Sequence, residues 1–325
     1  MNAKTILKQC PAAPSSSDGR ARTIGLLRAL APMEGYNLTA LPSVRILRSD
    51  RAMSRTPVLY DPGIVIVCQG CKRGYFGGRL YQYDEGHYLA VSVPVPFSME
   101  TDATRERPLL ALYLHLDFSM AAELAAQIDG EGMADRANAP QSMMSTPMDA
   151  GMQTSVLRFL EAMSRPLEAA VLGQGLLREL YFRVLTGAQG GAMREALAMR
   201  GQFGRIGRSL RHIHAAYAEP LDVARLAEVA GMSVPSFHSH FKAITHASPM
   251  QYVKSTRLHQ ARLLMVRQDM TAEAASHAVG YTSASQFNRE FKRLFGLTPA
   301  AETKRMRESF AIPAPFPGAT YVSSH

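Results

Sequence analysis

Between Leu41 and Asp117 the apolar positions come in short runs rich in β-branched and aromatic residues, each cut off by Gly, Pro or Asp. SVRILRS, GIVIVC, RGYF, RLYQY, HYLAVSV and LLALYLHLD have the length and composition of strands. Gly77 and Gly78, between RGYF and RLYQY, supply the positive φ angles that a tight hairpin needs. Many short strands at close spacing predict a sandwich or small barrel. From about Phe118 the period becomes that of a helix, in FSMAAELAAQI, MQTSVLRFLEAM and, after Gly175, LLRELYFRVLTG. Leu176, Leu180 and Val184 recur at four-residue spacing, a stripe suited to packing on the β-rich region or on a second subunit.

From Arg205 onward the pattern is almost wholly helical, and it repeats. GMSVPSFHSHFKAITHASP begins at Gly231 and GYTSASQFNREFKRLFGLTP at Gly280. Phe237, Phe241, Lys242 and Pro249 recur 50 residues later as Phe287, Phe291, Lys292 and Pro299. The leading glycines are 49 apart because the second turn holds one extra residue. In the first unit Asp222 can cap a short helix with Val223, Leu226, Ala227 and Ala230 on one face, and Gly231 can end it in the left-handed conformation. Ser233 can cap a second helix with Phe237, Phe241 and Ile244 turned inward. Pro235, His238, Ser239 and Lys242 then face out. In the second unit a helix from Ala272 to Val279 ends at Gly280; Phe287, Phe291 and Leu294 point inward, leaving Ser285, Asn288, Arg289 and Lys292 outside. A short helix, a glycine turn and an amphipathic second helix make a helix-turn-helix, whose second helix enters the major groove of DNA.

Between the units, Ser248 and Pro249 open a helix that ends near Arg267, with Met250, Leu258, Ala261, Leu264 and Met265 along one side. About 20 residues at roughly 1.5 Å each span about 30 Å, close to the roughly 34 Å between successive major-groove faces. One chain can therefore reach two adjacent turns of a duplex.

Charge sharpens this picture. The 325 residues carry a net charge of +9, and residues 204–308 hold 15 Lys and Arg against 8 Asp and Glu, or +7. A basic region beside a near-neutral one suits a polyanion. With 46% apolar and 19% charged residues, the chain can form two globular domains. Cys10, Cys68 and Cys71 are too few for a disulfide framework and fit a reducing cytosol. No apolar signal-like run follows Lys4 and Lys8, so a cytoplasmic protein without a membrane partner is expected.

Residues 206–307 resemble the DNA-binding domain of the AraC/XylS family of transcriptional regulators. LAEVAGMS, SFHSHFKAIT, SPMQYVKSTRLHQARLLM and, most specific, AVGYTSASQFNREFKRLFGLTP carry the likeness. LPSVRILRSD, VLYDPGIVIVCQGCKRGYFGG and YQYDEGHYLAVSVPVP resemble the cupin-like N-terminal domain of one AraC-type subgroup. The resemblance implies an α+β chain. Its parts would be a flexible tail over 1–22, a cupin-like β-barrel sensing domain over 23–165, a helical connector offering dimer contacts over 166–203, an all-α double helix-turn-helix domain over 204–308, and a second tail over 309–325.

It further implies base contacts from Pro235, His238 and Ser239 of the first recognition helix and from Ser285, Asn288 and Arg289 of the second. Arg289 is the best single candidate, since a guanidinium can bond guanine O6 and N7 together. Lys242, Lys292 and Arg293 suit phosphate, which sets register without reading sequence. At Ser239 the family usually has arginine, so readout by the first helix is expected to be weaker or shifted toward His238. The partners implied are double-stranded DNA, a second copy of the chain, RNA polymerase and a small-molecule effector, in a regulator that acts chiefly as an activator.

Other chemistry finds little support. CQGC has redox or zinc spacing, but no second CxxC or His pair accompanies it, so Cys68 and Cys71 are expected to be a strand cysteine and a turn cysteine. His87 and His115 are far apart, with Glu85 and Asp117 nearby, and no HxH pair occurs; neither metal nor other cofactor is expected. His212 and His214 alternate on a helix and face apart. GxSxG, Walker and HExxH motifs are lacking, which argues against an enzyme. Two rivals stay open: a cupin enzyme tethered to DNA, and a constitutive architectural DNA binder with a non-sensing β domain.

Overall fold

The computed structural model describes residues 17–132 and 139–309. Helix α1 (Ser17–Leu30) precedes the strands β1 (Gly35–Leu38), β2 (Val44–Ser49), β3 (Met53–Tyr60), β4 (Gly63–Gln69), β5 (Cys71–Phe76), β6 (Arg79–Asp84), β7 (His87–Val91), β8 (Val95–Asp102) and β9 (Leu109–His115). Helix α2 (Phe118–Gly130), strand β10 (Met143–Pro147) and helices α3 (Ala150–Met163), α4 (Pro166–Thr186) and α5 (Gly190–Leu197) follow. The C-terminal third contains α6 (Gly201–Ala216), α7 (Val223–Ala230), α8 (Val234–Thr245), α9 (Pro249–Gln268), α10 (Ala272–Ala278), α11 (Ala284–Phe295) and α12 (Pro299–Ser309).

The strands form two antiparallel sheets, ordered β1-β2-β9-β4-β7-β10 and β3-β8-β5-β6. The expected barrel is thus corrected: among the described residues each sheet keeps two open edges and no closed barrel forms. GIVIVC is buried along its whole length, because both faces of the six-stranded sheet are covered. Ile64, Ile66 and Cys68 pack with Leu112, Leu114, Phe159 and Leu180 on the helical side. Val65 and Val67 pack with Val58, Tyr60, Phe97 and Met99 of the second sheet. The period-two alternation of each strand sends its neighbours to opposite cores.

Strands β1, β3, β8 and β10 carry no strong sequence signal. β1 has four residues, Pro57 and Pro96 lie within β3 and β8, and Pro147 ends β10, although β8 alternates buried and half-buried positions throughout. The tails expected at 1–22 and 309–325 fall largely outside the described residues. Residues 17–22, however, are helical, and α1 buries Leu27 completely against the α3 side of the sheet. Helix α4 begins at Pro166, ten residues before the start expected at Leu176, with Pro in its first turn. Leu180 and Val184 are buried in the chain's own sheet domain, with Leu176 packed against them.

The sandwich core does not stop at the domain border. Phe203, Ile206, Leu210 and Ile213 of α6, Leu226 and Ala230 of α7, Phe237 and Phe241 of α8 and Tyr252 of α9 belong to the same buried cluster as Tyr60, Phe97 and Tyr113. The second helix-turn-helix has a core of its own, with Leu258, Ala261, Val279, Tyr281, Phe287, Phe291 and Phe295.

Candidate nucleic-acid interface

Each helix-turn-helix is built by local chemistry. Asp222 Oδ1 accepts from the Arg225 amide at 2.8 Å, capping α7. Gly231 ends it at φ 66°, and Arg205 donates to the Gly231 carbonyl at 3.1 Å. Ser233 occupies the N-cap of α8, but its side chain makes no capping bond. Helix α9 opens with a full capping box, Ser248 and Gln251 each bonding the other's backbone amide. In the second unit, Thr271 caps α10 and Ser283 caps α11, and Gly280 takes φ 83°.

Phe237, Phe241, Phe287 and Phe291 are completely buried, so these rings hold the units together. Pro235, His238, Ser239 and Lys242 of α8 are all exposed. So are Ser285, Asn288, Arg289, Lys292 and Arg293 of α11. Each recognition helix therefore presents its expected residues on one solvent face, and the second face carries three cations. The acid on that helix, Glu290, is turned back into the protein, where it accepts from Lys254 Nζ and the Tyr281 hydroxyl, both at 2.7 Å. Desolvation pushes its carboxyl up, but the bonds from Lys254, Tyr281 and Gln286 win and hold it below the usual carboxylate range. Its charge is offset by Lys254 and does not oppose a phosphate.

Several positioning residues escape sequence reasoning. Arg257 of α9 donates to the carbonyls of Tyr217 at 2.6 Å, Glu219 at 2.7 Å and Gly280 at 3.3 Å. One guanidinium thus fixes the second turn against the end of α6. Arg262 is fully buried and bonds Glu302 at 3.2 Å, itself fully buried, and the Pro57 carbonyl of β3 at 3.3 Å. Arginines inside a basic helix look alike in sequence; which ones turn inward depends on neighbours 23 or more residues away.

The interface is docked on the sheet domain. Tyr252 donates to the Pro94 carbonyl at 2.9 Å, and Ser142 Oγ donates to the Ile244 carbonyl at 2.7 Å. His214 Nε2 lies 2.8 Å from the Tyr252 hydroxyl. That hydroxyl's proton goes to Pro94, so His214 is the donor, and burial pushes its pKa down to about 3.

The other candidate chemistry is dispersed. His87 pairs with Asp84 and His115 with Asp61, each at 2.8 Å, and among the described residues no three potential ligands converge on a metal position. Cys68 and Cys71 are not paired with each other, and Cys68 is a free thiol. Burial pushes the Cys68 thiol up to about 12, the opposite of an activated thiolate. Among the described residues no helix is long and apolar enough to cross a membrane.

Residues 40–192 match the family model of the AraC-type transcriptional regulator N-terminus, and residues 226–305 match a helix-turn-helix domain model. The fold and its double helix-turn-helix define a DNA-binding type of regulator. The chain belongs to the AraC-type family of transcriptional regulators. It is 33% identical over 97 residues to the MmsAB operon regulatory protein of Pseudomonas aeruginosa, which covers 30% of this chain and 30% of that relative. It is 21% identical over 256 residues to the thermoregulatory protein LcrF of Yersinia pestis, covering 73% of this chain and 87% of LcrF. Fatty acid-bound ToxT of Vibrio cholerae shares the fold, with a TM-score of 0.57 over 83% of this chain and 97% of that one, at 10% identity.

Proposed function

We propose that this protein is a sequence-specific DNA-binding transcription regulator, and that α8 and α11 read successive major grooves on one side of a duplex. The observation that carries this is the exposed set Ser285, Asn288, Arg289, Lys292 and Arg293 on a helix whose Phe287 and Phe291 are completely buried. Ser285, Asn288 and Arg289 contact bases, as do Pro235, His238 and Ser239 on α8; Lys242, Lys292 and Arg293 contact phosphates. The test is selection of bound genomic DNA, followed by footprinting. Two half-elements about one helical turn apart are expected. Binding no tighter than to random duplex, across salt concentrations, would sink the reading.

The sheet domain supplies control. Lys72 lies inside the sandwich at 1% exposure, and its ammonium bonds the Tyr60 hydroxyl at 3.1 Å. Among the described residues no carboxylate lies within ion-pair distance of it, and a buried cation without an anion is costly. A small acidic effector would supply the anion, and by preferring one docked arrangement would shift the population that binds DNA. The solved structure of ToxT with an unsaturated fatty acid supports an acidic ligand in this fold.

A second copy of the chain is the proposed partner of α4, whose Leu167, Val171, Leu172 and Phe182 are 77%, 69%, 50% and 39% exposed. An apolar stripe of this kind on one helix suits an isologous contact. The dimer would work in the cytoplasm and, as an activator, present RNA polymerase with a surface next to the promoter. Transcription in vitro with purified polymerase tests that sign.

A further inference from the structure

We propose that the β5–β6 hairpin of the sheet domain is itself part of the DNA-binding surface, and that Arg79 meets a backbone phosphate beside the first recognition helix. This rests on the DNA-reading function above, but the surface involved lies outside both helix-turn-helix units.

The hairpin tip is seated on α8. Gly77 and Gly78, at φ 58° and 76°, form one depression with Ser239, Lys242, Ala243 and His246. The fit is close: a Cβ on Gly77 would stand 2.5 Å from the His246 ring. Phe76 meets that ring edge-on, with centroids 4.6 Å apart. Ser239 and Lys242 are exposed residues of the face that points to DNA. The tip therefore stands at the edge of that face and continues it.

The chemistry of the tip suits a polyanion. None of the six residues lining the depression is acidic. Arg79 follows Gly78 directly and is exposed, and among the described residues it has neither a hydrogen bond nor an ion pair. It is near enough to act on the His246 imidazole, which desolvation first and the Arg79 charge second push toward the neutral form. Lys242 lines the depression and Arg79 directly follows Gly78, one of its lining residues, so both cations are available to a phosphate backbone. A residue of the sheet domain would complete the weaker of the two reading helices.

The experiment measures binding of the full chain to its selected DNA and to random duplex by fluorescence anisotropy over a range of salt. Arg79→Ala is compared with Arg79→Lys and with Arg105→Ala. Arg105 is an exposed residue between β8 and β9, and the β5–β8 register, Cys71 opposite Asp102 and Tyr75 opposite Ser98, puts that loop at the far end of the sheet from the hairpin tip. Arg79→Ala should weaken binding roughly three- to tenfold on both DNAs and reduce the log–log salt slope by about 0.9, the value for one phosphate contact. Arg79→Lys should restore most of both, and Arg105→Ala should change neither. An Arg79→Ala protein that keeps wild-type affinity and slope, or that matches Arg105→Ala, overturns the proposal. Tighter binding also overturns it, because the hairpin would then be a shield. Wild-type chain that fails to bind any DNA removes the functional reading together with this one, whereas an unchanged Arg79→Ala in a binding wild type removes the hairpin contact alone.

Discussion

The hydroxyl of Tyr252, on the helix joining the two helix-turn-helix units, donates to the Pro94 carbonyl of the sheet domain at 2.9 Å. The two residues are far apart in the chain, and His214 donates to the same hydroxyl from a third element, α6. Three segments are held at one buried oxygen. Tyr252→Phe removes both the bond to the Pro94 carbonyl and the bond from His214, and should cost about 1–3 kcal/mol. Urea unfolding checks this; an unchanged midpoint would mean that the bond is replaced by water.

His214 also makes stability depend on pH. In the unfolded chain its imidazole takes up a proton below its ordinary value of 6.5, whereas in the folded protein burial holds its pKa at about 3. Between these values the unfolded state binds more protons, so the contribution is fully present above about pH 6.5 and falls away as pH drops toward 3. The slope is about 1.4 kcal/mol per pH unit for one such group. His259, pushed well below its ordinary value by burial and then by Arg262, acts with the same sign. His214→Gln should remove one group's share of the slope between pH 6 and 5, measured by unfolding at each pH; an unaltered slope would show that His214 is protonated in the fold.

Gly231 and Gly280 are equivalent in the repeat and both left-handed, at φ 66° and 83°. Their surroundings differ: among the described residues nothing lies within 4 Å of a Cβ at Gly231, but a Cβ at Gly280 would collide with the Ala218 carbonyl. Gly231→Ala should cost about 1–2 kcal/mol from the left-handed backbone. Gly280→Ala should cost about 3–5 kcal/mol, since overpacking adds to that strain. Thermal unfolding of the two variants side by side would reveal the asymmetry, and equal losses would refute it.

Arg289→Ala should lower affinity for the selected site by about 1–3 kcal/mol and relax preference at one base pair. Repeating the DNA selection with the variant is the check. Equal weakening on every sequence would reassign Arg289 to phosphate.

Val171→Asp places a charge in the exposed stripe of α4. Sedimentation should show a dimer dissociating to monomer while the unfolding midpoint stays within about 0.5 kcal/mol of wild type, as for other surface changes. A wild-type chain that already sediments as a monomer would end the dimer proposal.

Much of the DNA-facing part is legible in the sequence, and for local reasons. Asp222, Gly231, Ser248 and Gly280 act on their own backbone or that of neighbours within a few residues, so their caps and turns can be read from spacing. The 50-residue recurrence of Phe237 and Phe241 as Phe287 and Phe291 likewise identifies core against surface. Strands β3 and β10 could not be read this way, because their prolines are tolerated only where a particular partner strand leaves the position unbonded. Helix α1 looked like tail because its apolar residues acquire meaning only against α3.

By itself, then, the sequence determined the two helix-turn-helix units, the helix between them and the residues they turn outward, since these follow from periodicities of a few residues. The tertiary structure alone decided that the strands form two open sheets, that Arg257 and Arg262 face inward, and that the hairpin at Gly77 rests on α8. Those outcomes depend on which distant surfaces meet, and burial and charge pairing between distant segments leave no period in the chain.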